Sequence, residues 1–113
     1  MIYLPVFLFA IAAAGGLTLV IMRFSGRGLP WPVVIAHGVF AASGLVALII
    51  NVFSDTRNFL MNLALLLFLV AAIGGFTLLN FHLRKEKQPR SLIFIHGAMA
   101  IVSYILLVVS IFG

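Results

Sequence analysis

Two histidines, His37 and His96, lie within long runs of apolar residues and are the side chains of this sequence best suited to chemistry. In such surroundings an imidazole can bind a metal centre, pass a proton or hydrogen-bond a neighbouring helix. An ionisable residue in an apolar helix is costly, so each histidine marks a candidate functional site. Each is followed by a glycine, and the two lie 59 residues apart. We therefore consider each histidine as the candidate partner of the other.

The 59-residue spacing belongs to an internal repeat. Residues 1–54 align without gaps to residues 60–113, with 15 identities among 54 positions. The shared positions include an Ala-Ala-x-Gly-Gly motif, whose glycines are Gly15, Gly16, Gly74 and Gly75. Such self-similarity at a fixed offset predicts two copies of one structural unit.

The composition excludes an ordinary soluble domain. Hydrophobic residues make up 65% of the chain, charged residues 8%, and the mean hydropathy is +1.32. The sequence has no cysteine, which excludes disulfides, thiolate metal sites and iron–sulfur clusters. The net charge of +5 comes from basic residues in short connections, so it indicates membrane orientation and not nucleic acid as a partner. The expected surroundings are a lipid bilayer.

Four apolar runs are long enough to cross the hydrocarbon core of about 30 Å as helices. They comprise residues 2–22, 31–53, 59–81 and 92–112. Backbone hydrogen bonds must close within each segment in lipid, and short connections make sequential helices antiparallel neighbours. We therefore expect an all-α integral membrane protein, an up-down bundle of four transmembrane helices forming one domain over residues 1–113. Its two tandem two-helix repeats, 1–54 and 60–113, are expected to share a pseudo-two-fold axis along the membrane normal.

The basic residues predict the orientation of the bundle. Loops 23–30 and 82–91 lie on the same side and carry six of the seven lysines and arginines, whereas the opposite side has only Arg57. By the positive-inside rule both loops are cytoplasmic and both termini are outside. We expect an integral protein of a bacterial inner membrane.

Geometry makes a metal centre between the histidines plausible. In a square bundle the second and fourth helices are diagonal, so two imidazoles reaching inward can bind one metal from both sides. A six-coordinate haem iron requires one Nε2 on each face, which predicts His37 and His96 as the metal ligands. The glycine pairs lie at a similar depth, about 10 Å from the loop side, and provide space for a porphyrin. Small residues also follow each histidine at i+4 and i+7, namely Ala41, Gly44, Ala100 and Ser103.

The adjacent loops can receive the ionised propionates of such a group. The candidate cations for this pairing are Arg23, Arg27, Arg84, Lys85 and Arg90.

This pattern resembles the four-helix core of membrane b-type cytochromes, including cytochrome b of the respiratory quinol-oxidising complexes. In that family, histidines on the second and fourth helices ligate haem b, and glycines on the first and third let the macrocycle approach. The resemblance implies these roles for His37, His96 and the two glycine pairs, with one-electron transfer and a quinone or redox protein as partner. The family's second histidine on each ligand helix is missing, and its region holds Ile50, Asn51, Val109 and Ser110. The resemblance therefore implies a single haem b.

Other interpretations stay open. Small residues at helix spacing also serve close packing, and a buried histidine can bond a neighbouring helix's carbonyl or hydroxyl, with Thr18 and Thr77 at a suitable depth. The chain is then a structural, assembly or regulatory subunit of a larger membrane complex, or a homo-oligomer. A third interpretation is a small proton or solute pathway. No catalytic residues are predicted, and whether the chain is an enzyme stays open. A transporter coupled by an intramembrane carboxylate is set aside because Asp55 and Glu86 lie in loops.

Overall fold

The computed structural model describes residues 2–54 and 57–113, so Asp55 lies outside the described residues. Within these ranges the regular structure is four α-helices: α1 (Leu4–Phe24), α2 (Trp31–Ser54), α3 (Phe59–Leu83) and α4 (Arg90–Phe112). Each is long and apolar enough to cross a membrane, with a mean hydropathy between 2.3 and 2.5 over its most apolar 18 residues. The prediction of four apolar helices of membrane-spanning length is confirmed.

The helix ends differ by two residues from the prediction at four places. Both α1 and α3 continue two residues beyond the last predicted residue, α1 begins two residues later, at Leu4, and α4 begins two residues earlier, at Arg90. A hydropathy pattern predicts that a helix ends where the apolar run stops. The actual end depends on which hydrogen-bond donors reach the last carbonyls of the helix. The charged residues at these ends are therefore helical.

A Schellman cap ends both α1 and α3. After α1, the Arg27 N–H donates to the carbonyl of Met22 at 3.0 Å, across Gly26 with φ 77°. After α3, the Glu86 N–H donates to the carbonyl of Phe81 at 2.9 Å, across Lys85 with φ 59°. This 6→1 bond needs a left-handed residue, which glycine adopts at low cost and lysine does not. The second loop keeps the turn of the first despite its lysine.

Prolines start the helices that follow the two loops. Pro30 precedes α2, and its carbonyl accepts the N–H of Val34 at 3.1 Å. Pro89 precedes α4 in an extended conformation, and its carbonyl accepts the N–H of Ile93 at 3.1 Å. A proline at this position loses no intrahelical bond and has a fixed φ suited to a helix start.

The chain divides into two compact units, Met1–Asp55 and Thr56–Gly113. The first is the hairpin of α1 and α2, and the second is the hairpin of α3 and α4. The division falls between the two sequence repeats.

Side chains at equivalent positions of the two repeats are buried in both hairpins. The equivalent buried residues are Pro5 and Ala64, Phe9 and Phe68, Ala12 and Ala71, Gly44 and Ser103, and Leu48 and Leu107. Large apolar side chains are exposed along all four helices, for example Phe7, Phe53, Phe76 and Phe94. Each hairpin therefore has a narrow buried seam and a broad apolar outer surface.

Candidate functional site

His37 is held to the facing helix of its own hairpin by a hydrogen bond to the backbone. Its Nδ1 atom lies 2.7 Å from the carbonyl oxygen of Ala12 in α1. A carbonyl oxygen has no proton to give, so the imidazole must donate, and the proton is on Nδ1. In the neutral ring this tautomer leaves the lone pair on Nε2, the nitrogen that accepts a hydrogen bond or binds a metal.

His96 makes the same bond in the second hairpin. Its Nδ1 atom lies 2.7 Å from the carbonyl oxygen of Ala71 in α3, which is the equivalent of Ala12. Both histidines are half-buried, and both acceptor alanines are buried. The same ring nitrogen, the same type of acceptor and the same sequence separation of 25 residues therefore recur in the two hairpins.

The direction of helical carbonyls explains where the histidine must lie. A carbonyl in an α-helix points toward the residues one turn further on, and its oxygen accepts the N–H four positions later. Because one lone pair of the Ala12 oxygen accepts this backbone N–H, the His37 imidazole must approach the other. In that position the ring covers the surface of residues 15 and 16. Any side chain on that surface would stand in its way. The two glycines of the Ala-Ala-x-Gly-Gly motif therefore follow from the hydrogen bond.

The contacts of the glycines agree with this account. A Cβ added to Gly15 would lie 3.3 Å from Cβ of His37, and one added to Gly16 would lie 3.0 Å from its Cε1. In the second hairpin a Cβ on Gly74 would lie 3.5 Å from Cβ of His96, and one on Gly75 would lie 3.0 Å from its Cε1. The glycine pairs thus lie directly against the imidazoles of their own hairpins. Approach of a porphyrin to these glycines stays a prediction.

The threonines proposed as alternative partners bond within their own helices. The Thr18 hydroxyl donates to the carbonyl of Ala14 at 2.9 Å, and the Thr77 hydroxyl donates to that of Ile73 at 2.8 Å. The interhelical partner of each histidine Nδ1 is a backbone carbonyl.

The remaining predicted site residues differ in their contacts. A Cβ on Gly44 would lie 3.1 Å from the ring of Phe9, so this glycine admits an aromatic side chain of α1. Ser103, its equivalent, is fully buried, and its hydroxyl donates to the carbonyl of Met99 at 2.6 Å. Ala41 and Ala100 are half-buried.

A groove of about 410 Å³ runs along one side of the first hairpin, next to His37. Residues of α1 and of α2 form its sides: Ile11, Ala14, Gly15, Thr18, Pro32, Val33, Ala36, His37 and Phe40. The walls are mostly apolar, and the imidazole and the Thr18 hydroxyl are the polar side chains of the lining.

The cations proposed for propionates lie at the loop ends of the hairpins. The Arg23 guanidinium is half-buried and lies over the Phe24 ring, with its Cζ atom 5.6 Å from the ring centroid. The others are exposed, namely Arg27, Arg84, Lys85 and Arg90. Their pairing with propionates stays a prediction.

The donor set of the described residues limits the kind of metal centre. Residues 2–54 and 57–113 contain no group of three or more His, Cys, Asp or Glu side chains able to hold a metal ion. A haem iron takes four ligands from the porphyrin and needs only two axial imidazoles from the protein. Two imidazoles that donate from Nδ1 would, in the neutral form, each offer the Nε2 lone pair to such an iron, which fits that requirement. Binding of one iron by both rings stays a prediction.

Two features of the site were not predicted from the sequence. The first is the identity of the acceptor residues, Ala12 and Ala71, since the prediction named only a carbonyl or hydroxyl of a neighbouring helix; the second is the packing of Phe9 against Gly44. A backbone acceptor has no side-chain signature.

Comparison of the chain with protein-family models, with curated proteins and with solved structures gives no match.

Proposed function

We propose that this chain is an integral membrane protein that binds one haem b through Nε2 of His37 and of His96 and transfers single electrons. The observation that carries the proposal is the identical Nδ1-to-carbonyl hydrogen bond of the two histidines, 2.7 Å long in each hairpin. A bound haem supplies a one-electron iron couple.

The hydrogen bond supports ligation because metal-binding histidines usually donate their other ring N–H to a carbonyl, a carboxylate or water. Such a bond selects the tautomer and prevents the ring from turning. Before any metal binds, each imidazole is therefore held in one orientation with the required lone pair. The glycine contacts restrain the ring further, since Cε1 lies close to the backbone of Gly16 or Gly75.

Membrane insertion is proposed from the surface of the helices. Phe53 and Phe76 are 78% and 72% exposed, and large apolar side chains line all four helices. Such a surface is stable in hydrocarbon and promotes aggregation in water. The basic loops support the orientation with loops 23–30 and 82–91 in the cytoplasm of a bacterium and with both termini outside.

We also propose that the two hairpins are related by a pseudo-two-fold axis along the membrane normal. The support is the recurrence of the histidine bond, the Schellman cap and the buried positions at an offset of 59 residues. Two spans per repeat give both copies the same direction in the membrane.

The test is an absorbance spectrum of the purified protein, expressed with adequate haem supply, in the oxidised and then the reduced state. We expect a Soret band and the spectrum of low-spin iron, with one haem per chain. His37→Ala and His96→Ala should each abolish the low-spin signature. A colourless wild type, or a low-spin spectrum that persists in both variants, would contradict the proposal.

A second candidate function is that of a structural or assembly subunit of a larger membrane complex. The same hydrogen bond favours it, because an imidazole that bonds a facing carbonyl also fastens α2 to α1 and α4 to α3. This candidate predicts a colourless protein that co-purifies with a partner. Replacement of both histidines by Gln, which can donate to the same carbonyl, would then preserve the fold and the partner.

A further inference from the structure

The connection between α3 and α4, together with the first residue of α4, carries a dense group of exposed cations, and we call residues 84–90 the basic loop. We propose that the basic loop binds the headgroups of anionic phospholipids in the leaflet that surrounds it. The inference rests on the membrane insertion proposed above, but it does not depend on haem.

The backbone of the basic loop is held at both ends. At its start, the Schellman cap closes across Lys85, with the Lys85 N–H donating to the carbonyl of His82 at 3.1 Å. At its end, Pro89 is extended and is the N-cap of α4. Between them the side chain of Gln88 is buried, with 7% exposure. The loop is therefore short and anchored, so its cations are presented in a limited range of positions.

The charge of the basic loop is almost all of one sign. Four cations are exposed, namely Arg84, Lys85, Lys87 and Arg90, and Glu86 is the only acid between residues 82 and 91. Arginine bonds the oxygens of a phosphate in pairs, and lysine acts as a compact point charge, so the two together suit phosphodiesters. Basic residues next to a membrane helix gain about fivefold in affinity for an anionic surface per charge.

The first hairpin provides an internal comparison. Its connection has the same turn and the same following proline, but between Ser25 and Pro30 it holds a single cation, Arg27. Exposed aromatic side chains flank that connection, Phe24 at the end of α1 and Trp31 at the start of α2. Aromatic rings of this kind anchor a helix end at headgroup level. The connection of the first hairpin is therefore flanked by aromatic side chains, whereas the larger number of cations is found only in the basic loop of the second hairpin.

The experiment uses the whole protein in neutral detergent with an equal mixture of phosphatidylglycerol and phosphatidylcholine of matched acyl chains. Native mass spectrometry counts the lipids of each kind that stay bound. We expect a preference for phosphatidylglycerol that falls about fivefold per charge removed in Arg84→Gln, Lys87→Gln and their combination. Arg57→Gln, which removes one charge on the other side, is the matched control and should keep the preference. Circular dichroism verifies that each variant is helical.

Two further variants separate charge from misfolding. Glu86→Gln should raise the preference about fivefold, a gain that a damaged fold does not produce. Arg84→Lys should retain most of the preference for phosphatidylglycerol. Equal binding of the two lipids by the wild type, or an unchanged preference in the double variant, would overturn the proposal. Competition by millimolar inorganic phosphate at constant ionic strength would also overturn it, because the site would then be a general anion site. The absorbance spectrum of the same samples reports on haem. Lys87 is not among the cations proposed for propionates, so Lys87→Gln tests the lipid proposal alone and either proposal can fail by itself.

Discussion

Gly16 and His37 pack so closely that a β-carbon on Gly16 would lie 3.0 Å from Cε1 of the imidazole, and the ring would have to give by a few tenths of an ångström. The ring cannot move away freely because its Nδ1 is bonded to the Ala12 carbonyl. The same relationship holds for Gly75 and His96. The close contact with the glycine and the hydrogen bond to the alanine therefore both restrain the position of the same imidazole ring.

The first prediction follows from this contact. Gly16→Ala and Gly75→Ala should each destabilise the protein by about 1–3 kcal/mol, as overpacking does. The added methyl has to displace a ring that is fixed by a hydrogen bond. The measurement is the midpoint of thermal unfolding in detergent.

The chain offers a matched control for these variants. Gly38 and Gly97 are helical glycines beside the same histidines, and a Cβ at either would meet nothing within 4 Å. Their replacement by Ala should be neutral or stabilising by up to about 1 kcal/mol, because alanine favours the helix. A loss of stability at Gly38 equal to that at Gly16 would contradict the account.

The second prediction concerns the tautomer of the two histidines. In haem-free protein labelled with ¹⁵N-histidine, at a pH where the rings are neutral, His37 and His96 should both carry the proton on Nδ1, since of the two neutral tautomers only that one donates from Nδ1 to a carbonyl. His82, which precedes the basic loop, provides an internal reference in the same spectrum. Detection of the Nε2–H form at both buried positions would show that the hydrogen bond to alanine is not made.

The third prediction concerns the packing of Phe9 on Gly44. Gly44→Ala should destabilise the first hairpin, because its Cβ would lie 3.1 Å from the Phe9 ring. Phe9→Leu should also destabilise it, by loss of buried aromatic area. The double variant should be more stable than the sum of the two effects implies, with a coupling energy of about 0.5–3 kcal/mol in a double-mutant cycle. Strict additivity would show that the two residues do not constrain each other.

The fourth prediction concerns the strained turn at Lys85. Lys85→Gly should stabilise the protein by up to about 1 kcal/mol, because glycine adopts the φ of 59° without the steric cost that a β-carbon brings. Lys87→Gly removes the same charge from the same loop, but Lys87 does not have a positive φ. The substitution therefore relieves no backbone strain and should be neutral or destabilising. Thermal unfolding in neutral detergent compares the two. Equal effects would mean that the charge matters and the turn does not.

Hydropathy and length were sufficient to predict four helices, but not their ends. A helix end depends on which backbone donors reach its last carbonyls, as when the Glu86 N–H bonds the Phe81 carbonyl and extends α3 past its apolar run. The repeat in the sequence predicted equivalent histidines, and the histidine bonds are equivalent in the two hairpins.

The glycine pairs show how far the sequence can lead at the candidate site. Their position predicted that something bulky lies against the helix at that depth. It did not reveal that the imidazole of the same hairpin is that group, because the acceptor is a main-chain oxygen. A carbonyl is present at every residue, so sequence alone cannot indicate which one a histidine selects.

The use of the Ala12 backbone oxygen as the acceptor affects which positions of this chain can change during evolution. Since the partner of His37 belongs to the backbone, no substitution at position 12 removes it, provided that the new side chain is small enough for a buried site with 3% exposure. Mutational drift at position 12 therefore leaves the bond intact, and correlated change between positions 12 and 37 is not expected. The positions that should vary together with the histidine are 15 and 16, where a β-carbon would lie 3.3 Å from Cβ of His37 and 3.0 Å from its Cε1.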